Sequence, residues 1–218
     1  MLELARFERH KGRTVYKNHN PRRLSDDYQT PLKLALAICQ RLQGVIPPPK
    51  AILEPSAGLG RFVTASRECW YGADITAVEV REECEDLLKG SGATRVLMGT
   101  WEDVDLAKVP APDLIVGNPP YEFAQKHFEL ALSRVAHGGH VAFLLRMAFL
   151  NSQKRVKTFW DVQKGFRYLL PLAQRPSFTG DSKTEHSEYA TLLFEKGFSG
   201  NAEILPHLWV EGVLTRES

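Results

Sequence analysis

After residue 30 the apolar positions alternate between short continuous runs and longer amphipathic stretches, the pattern of buried strands joined by helical crossovers. Thr30-Pro31 can cap and open a helix, in which Leu32, Ala35, Leu36, Cys39 and Leu42 recur on one face until Gly44 ends it. A first strand is predicted over Ala51 to Glu54, followed by a glycine-containing turn and a helix over Arg61 to Trp70. Ile75 to Val80, Arg81 to Lys89 and Thr94 to Met98 then read as strand, helix and strand, and Asp113 to Val116 as a fourth strand. Ala124, Phe128, Ala131, Leu132 and Val135 line one face of a long helix, which Gly138-Gly139 separates from a fifth strand at His140 to Leu145. A further helix is expected to begin at Asn151 and to carry Lys154, Arg155 and Lys157.

Phe166 to Leu172 and Glu188 to Phe194 are the last two predicted strands, with a polar segment between them that has no helical pattern. Without a crossover helix they are expected to pair antiparallel. The expected fold class is therefore α/β, a mostly parallel seven-stranded sheet with an antiparallel C-terminal hairpin and helices on both faces. Residues 197–218 carry mixed signals and are expected to form a short strand or an extended tail.

Charge adds one feature. The chain has a formal net charge of only +2, but Met1 to Leu24 carries Arg6, Arg9, Lys11, Arg13, Lys17, Arg22 and Arg23 against Glu3 and Glu8, a net +5. Such an arm suits phosphate contacts, and it equally suits a solvated terminus. Cys39, Cys69 and Cys84 are too scattered for a disulfide framework or a zinc site, so no metal is expected. The most apolar run, Val141 to Leu150, is interrupted by Arg146 and is too short to span a bilayer. No membrane partner and no signal region are expected, and the expected compartment is the cytoplasm.

Three motifs carry chemistry. Glu54-Pro55-Ser56-Ala57-Gly58-Leu59-Gly60 follows the first strand and opens a helix, the edge at which doubly wound sheets bind ligands. Gly58 and Gly60 allow tight turning and close approach of a ligand, and Glu54 and Ser56 add polar groups. Glu79 ends the second strand, where a carboxylate can accept hydrogen bonds from both hydroxyls of a ribose. Asn118-Pro119-Pro120-Tyr121 follows the fourth strand. Two prolines cannot continue a strand ladder, so the backbone leaves the sheet after Asn118. The Asn118 amide and the Pro119 carbonyl can then accept both hydrogens of a planar amino group, and Tyr121 offers a face for a flat ring.

With these residues in this order, the chain resembles the amino-methylating nucleic-acid methyltransferases of the class I, Rossmann-like fold, and specifically the N6-adenine DNA methyltransferases of the gamma motif order, including small phage and prophage enzymes. Asp27-Tyr28-Gln29-Thr30-Pro31, Glu54 to Gly60, and Asn118 to Tyr121 stand in the family's order, and the resemblance covers roughly Asp26 to Gly197. It implies a basic arm over 1–25, a catalytic domain over 26–197 and an extension over 198–218.

The resemblance implies S-adenosylmethionine as cofactor. Tyr28, Thr30 and Pro31 would lie beside its methionine portion, Glu79 at its ribose, and Trp101 with Glu102 at its adenine. In the family the acid usually precedes the aromatic residue, whereas here it follows, as Glu102 or as Asp103 beside it. Asn118, Pro119, Pro120 and Tyr121 would be catalytic, acting on an adenine flipped out of the duplex. Phe178, in a looser likeness over Arg175 to Asp181, would stack on the extruded base, with Arg146, Arg155, Lys157, Arg175 and Lys183 near phosphates. The expected partner is DNA, in a restriction-modification or phage setting and with room for a separate specificity partner. RNA adenine or guanine methylation, or a noncatalytic nucleic-acid-binding role, are the rival readings.

Overall fold

The computed structural model describes residues 8–10, 13–15, 29–107, 109–178 and 187–211. Tyr28, Asp27, Lys183 and most of the basic arm lie outside the described residues. Within the arm a short antiparallel hairpin pairs β1 (Glu8–His10) with β2 (Arg13–Val15).

The body is an eight-stranded sheet. Its strands are β3 (Ala51–Glu54), β4 (Asp74–Glu79), β5 (Arg95–Met98), β6 (Leu114–Gly117), β7 (His140–Arg146), β8 (Phe166–Pro171), β9 (Tyr189–Glu195) and β10 (Glu203–Ile204). They lie in the order β10-β8-β9-β7-β6-β3-β4-β5. The central strands are parallel, and β9 pairs antiparallel with both β7 and β8. The two-residue β10 lies parallel to β8 and adds one strand to the seven expected.

Burial alternates with the pleat. Ile52, Leu114, Val116, Ala142 and Leu144 enter one apolar cluster, while Leu53, Ile115, Val141, Phe143 and Leu145 enter the other. Both faces being covered, these strands read in sequence as continuous apolar runs. The first cluster is closed by α1 (Leu32–Gln43), α2 (Arg61–Cys69) and α3 (Glu85–Gly90), and the second by α4 (Ala124–Arg134). The chain steps from β3 outward to β4 and β5, then restarts at β6 on the other side of β3 and steps to β7. Right-handed crossovers running in opposite directions place α2 and α3 on one face and α4 on the other, which leaves a crevice beyond the carboxyl ends of β3 and β6.

Two expected elements take a different form. The helix expected over Arg81 to Lys89 starts as a 3-10 turn, Glu82–Cys84, before α3. The helix expected from Asn151 is a single α turn, α5 (Gln153–Arg155), N-capped by Ser152, whose Oγ accepts from the Arg155 N–H. It widens into a π turn over Val156–Trp160, closed by the Asp161 N–H donating to the Val156 carbonyl. The segment expected as a C-terminal extension is partly built into the body: besides β10, Leu208 and Val210 are buried in the first cluster. The Gln174 amide exchanges two hydrogen bonds with the Val210 backbone, at 3.1 and 3.0 Å.

Candidate active site

The glycine turn is set by backbone geometry. Gly58 (φ 54°) and Gly60 (φ 74°) both adopt the left-handed conformation, which a side chain disfavours. At Gly60 a Cβ would also lie 2.8 Å from both Cβ and Oγ of Ser91, so α2 starts close against the segment after α3. At Gly58 a Cβ would face the Arg81 guanidinium at 3.3 Å and the Gln29 amide at 3.4 Å.

Glu79, at the end of β4, is buried. Its Oε2 accepts from the Gly58 N–H at 2.6 Å, and its Oε1 accepts from the Arg81 N–H and Nε, each at 3.0 Å. The strand end, the glycine turn and Arg81 are thereby locked together, with the carboxylate fixed at the carboxyl edge of the sheet.

Glu54 ends β3 and is 3% exposed. Burial and the charge of Glu79 push its carboxyl well above the usual range, while the Val63 N–H, in the first turn of α2, acts in the opposite direction. Its Oε2 is buried without a hydrogen-bond partner. Gly117, the last residue of β6, faces this side chain: a Cβ there would lie 3.4 Å from Glu54 Cγ. Ser56 is half-buried in the turn.

Asn118 follows Gly117 immediately, so the tetrapeptide leaves the sheet beside Glu54 and the glycine turn. Asn118 Nδ2 donates to Thr30 Oγ1 at 3.1 Å. Thr30 is buried, and Pro31 caps the start of α1. Pro119 is buried, Pro120 is half-buried, and Tyr121 opens a 3-10 turn that leads into α4. Tyr121 lies 5.9 Å from the Tyr189 ring and carries the Arg146 guanidinium 4.9 Å above its own ring. Burial raises the Tyr121 phenol far above its ordinary pKa, aided by Tyr189, while hydrogen bonding with Asn118 and the charge of Arg146 oppose the shift.

The other expected site residues are distributed as follows. Arg146, at the end of β7, donates from Nε to the Tyr189 hydroxyl at 3.2 Å, so its guanidinium is held at Tyr121 and Tyr189. Phe178 is 2% exposed and meets Tyr189 edge-on at 5.0 Å, one ring removed from Tyr121. Arg175 is exposed and paired with Glu188. Arg155 lies over the Phe149 ring at 4.4 Å, and Lys157 is exposed.

Trp101 is 2% exposed in the second cluster, with Arg134 over its ring at 5.4 Å and its indole Nε1 without a hydrogen-bond partner. Glu102 pairs with Lys126 at 2.9 Å; burial works to raise its pKa, but the hydrogen bond and charge of Lys126 outweigh this and lower it. Asp103 accepts from Thr100 Oγ1 at 2.9 Å. Sequence reasoning missed Arg81 and Tyr189, and gave Gln29 no role of its own within the Asp27 to Pro31 motif. Arg81 was accessible through its position two residues after Glu79, whereas Tyr189 read as one more apolar strand residue.

The sheet order and the crevice define the class I fold of S-adenosylmethionine-dependent methyltransferases. A protein described as a class I methyltransferase of this kind from Listeria monocytogenes has this fold at a TM-score of 0.65 and 17% identity, over 83% of this chain and 65% of that one. A type I restriction enzyme modification subunit from Vibrio vulnificus matches at 0.59 and 16%, over 79% and 45%. A protein described as an RNA methyltransferase from Pyrococcus horikoshii matches at 0.57 and 21%, over 82% and 90%.

In sequence, the type II methyltransferase M.CvrRI of Paramecium bursaria Chlorella virus XZ-6E is 30% identical over 76 residues, 34% of this chain. The chain spans about a fifth of the length of that relative, since the match covers 19% of it. No family model matches the chain. Among the described residues no helix is long and apolar enough to cross a membrane.

Proposed function

We propose that the chain is an S-adenosylmethionine-dependent methyltransferase that methylates the exocyclic N6 amino group of adenine in DNA. The observation that carries this reading is the position of Asn118-Pro119-Pro120-Tyr121: at the carboxyl end of β6, beside the Glu54 to Gly60 turn, at the switch point of the sheet.

The residues present fit the cofactor. The buried, unpartnered Glu54 Oε2 suits the ammonium of its methionine portion. Glu79 suits the ribose: a carboxylate has about four acceptor directions, of which Gly58 and Arg81 use three, leaving one for a ribose hydroxyl. Gly58 keeps the turn free of a side chain. Bound there, S-adenosylmethionine supplies an electrophilic methyl group. Adenine N6 is a poor nucleophile because its lone pair is delocalised into the ring. Asn118 Oδ1 and the Pro119 carbonyl, accepting its two hydrogens, draw the nitrogen towards a tetrahedral form, while Tyr121 holds the ring plane; the work of the protein is positioning. In a duplex this requires the base to leave the stack, at a cost of a few kcal/mol.

A DNA substrate is supported by the order of the three motifs and by the likeness to restriction-modification proteins. RNA is the second reading, favoured by the likeness to the Pyrococcus horikoshii protein. Transfer of labelled methyl to DNA, RNA and a glutamine-bearing protein, followed by nucleoside analysis, tests the assignment. N6-methyladenine in DNA is expected. Asn118→Ala is expected to lower turnover by about 10²- to 10³-fold, the cost of removing one preorganised polar group, with cofactor affinity retained. Unchanged turnover in Asn118→Ala, or methylation confined to RNA or protein, refutes the proposal.

A further inference from the structure

We infer that Thr30 is a positioning residue for the catalytic amide of Asn118, beyond any contact it makes with the cofactor. The inference rests on the proposed function for the word catalytic, but the hydrogen bond itself does not.

An asparagine amide is a poor fixed acceptor by itself. It turns about its last torsion over a broad, roughly two-fold well, and one of its two orientations would aim an NH2 group at the amine it must bind. In the structure its nitrogen donates to Thr30 Oγ1 across 88 residues of chain, which puts the carbonyl oxygen on the opposite edge of the amide.

Both ends of this hydrogen bond are stiff for the same covalent reason. Thr30 precedes Pro31 and Asn118 precedes Pro119, and a residue before proline is confined to extended backbone. Thr30 is buried and leads directly into α1, whose Leu34, Ala35 and Ile38 are rooted in the core. The preceding residue, Gln29, lies against Gly58. Residues 29 and 30 therefore touch the glycine turn with one side chain and the tetrapeptide with the next. The hydroxyl is the chemical requirement; the shape of threonine alone does not supply it.

Thr30→Val keeps the branched shape and deletes the hydroxyl, and Thr30→Ser keeps the hydroxyl. At saturating cofactor, Thr30→Val is expected to lower kcat by about 10- to 100-fold, the scale of a misplaced reacting group, with cofactor Kd within about threefold. Thr30→Ser is expected to restore most of kcat. A rise in Kd with kcat intact would make Thr30 a cofactor contact only and overturn the inference, as would equal activity of Thr30→Val and wild type.

A second readout does not depend on turnover. The 15N-labelled side-chain amide of Asn118, assigned by its loss in Asn118→Ala, is expected to shift and to exchange faster in Thr30→Val but not in Thr30→Ser. An unmoved signal in Thr30→Val overturns the inference even where turnover falls. A wild-type chain that methylates none of the three substrates overturns the functional reading, while the amide signal still decides whether Thr30 holds Asn118.

Discussion

Gly60→Ala isolates how tightly the fold specifies the turn that begins α2. The new Cβ faces two separate penalties. At φ 74° and ψ 26° the backbone is left-handed, which costs an L-residue about 1–2 kcal/mol. The Cβ would also sit 2.8 Å from Ser91 Cβ and Oγ and 3.1 Å from Leu88 Cδ2, and overpacking of this kind costs about 1–3 kcal/mol. The lower entropy of the unfolded chain offsets about 0.4–1 kcal/mol. A net loss of about 1–5 kcal/mol follows, measurable by urea denaturation as a lower midpoint at constant slope. Ser91→Gly removes the obstructing Cβ and Oγ, so combining it with Gly60→Ala is expected to relieve the Ser91 part of the clash and leave the backbone penalty and the Leu88 contact. The double-mutant cycle should then show a favourable coupling of about 1 kcal/mol or more. A loss below about 0.5 kcal/mol for Gly60→Ala refutes the reasoning, and a full loss without coupling to Ser91→Gly refutes its steric half.

Two further outcomes follow from the buried groups. Because burial and Glu79 raise the pKa of Glu54, its contribution to stability is full below the ordinary carboxylate range and is lost as pH rises through the elevated folded value. Glu54→Gln is therefore expected to gain stability relative to wild type as pH rises above 4.5, and a relative gain by wild type on that rise contradicts the assignment. Phe128 is fully buried and packs against Phe143, Phe149, Phe159 and Phe194 at ring separations of 4.8 to 5.7 Å. Phe128→Ala is expected to cost about 3–5 kcal/mol in chemical denaturation, and a cost under about 1.5 kcal/mol would show that the second cluster repacks around the gap.

The central sheet was legible because parallel strands buried on both faces leave uninterrupted apolar runs, and Ala51–Glu54 is found where the pattern put it. The hairpin of β8 and β9 was legible as a pair, but the insertion of β9 between β7 and β8 was not, since order within a sheet is decided by contacts distant in sequence. β10 gave a mixed signal because both of its residues are exposed at the sheet edge. In the site, glycines and prolines announced backbone departures that other residues cannot make. The Asn118 to Thr30 bond, the Arg81 clamp on Glu79 and the Tyr121-Tyr189-Phe178 ring series join segments that the fold alone brings together. Phe178 was expected to stack on an extruded base, yet its ring is 2% exposed and drawn into the first cluster.

Tyr121 shows why the tetrapeptide is placed where it is. Partly buried, it packs against both apolar clusters, the one under α1 and α2 and the one under α4. It does so because the two prolines end β6 at the level where the sheet stops separating its two faces. The ring is thereby referenced to two cores at once, with Arg146 from β7 above it and Tyr189 from β9 beside it. Asn118, three residues earlier, is referenced to α1 through Thr30. On the proposed function, the position of a planar amine between them is set by the packing of the whole sheet, and rigidity at that point is what direct transfer to a weak nucleophile demands.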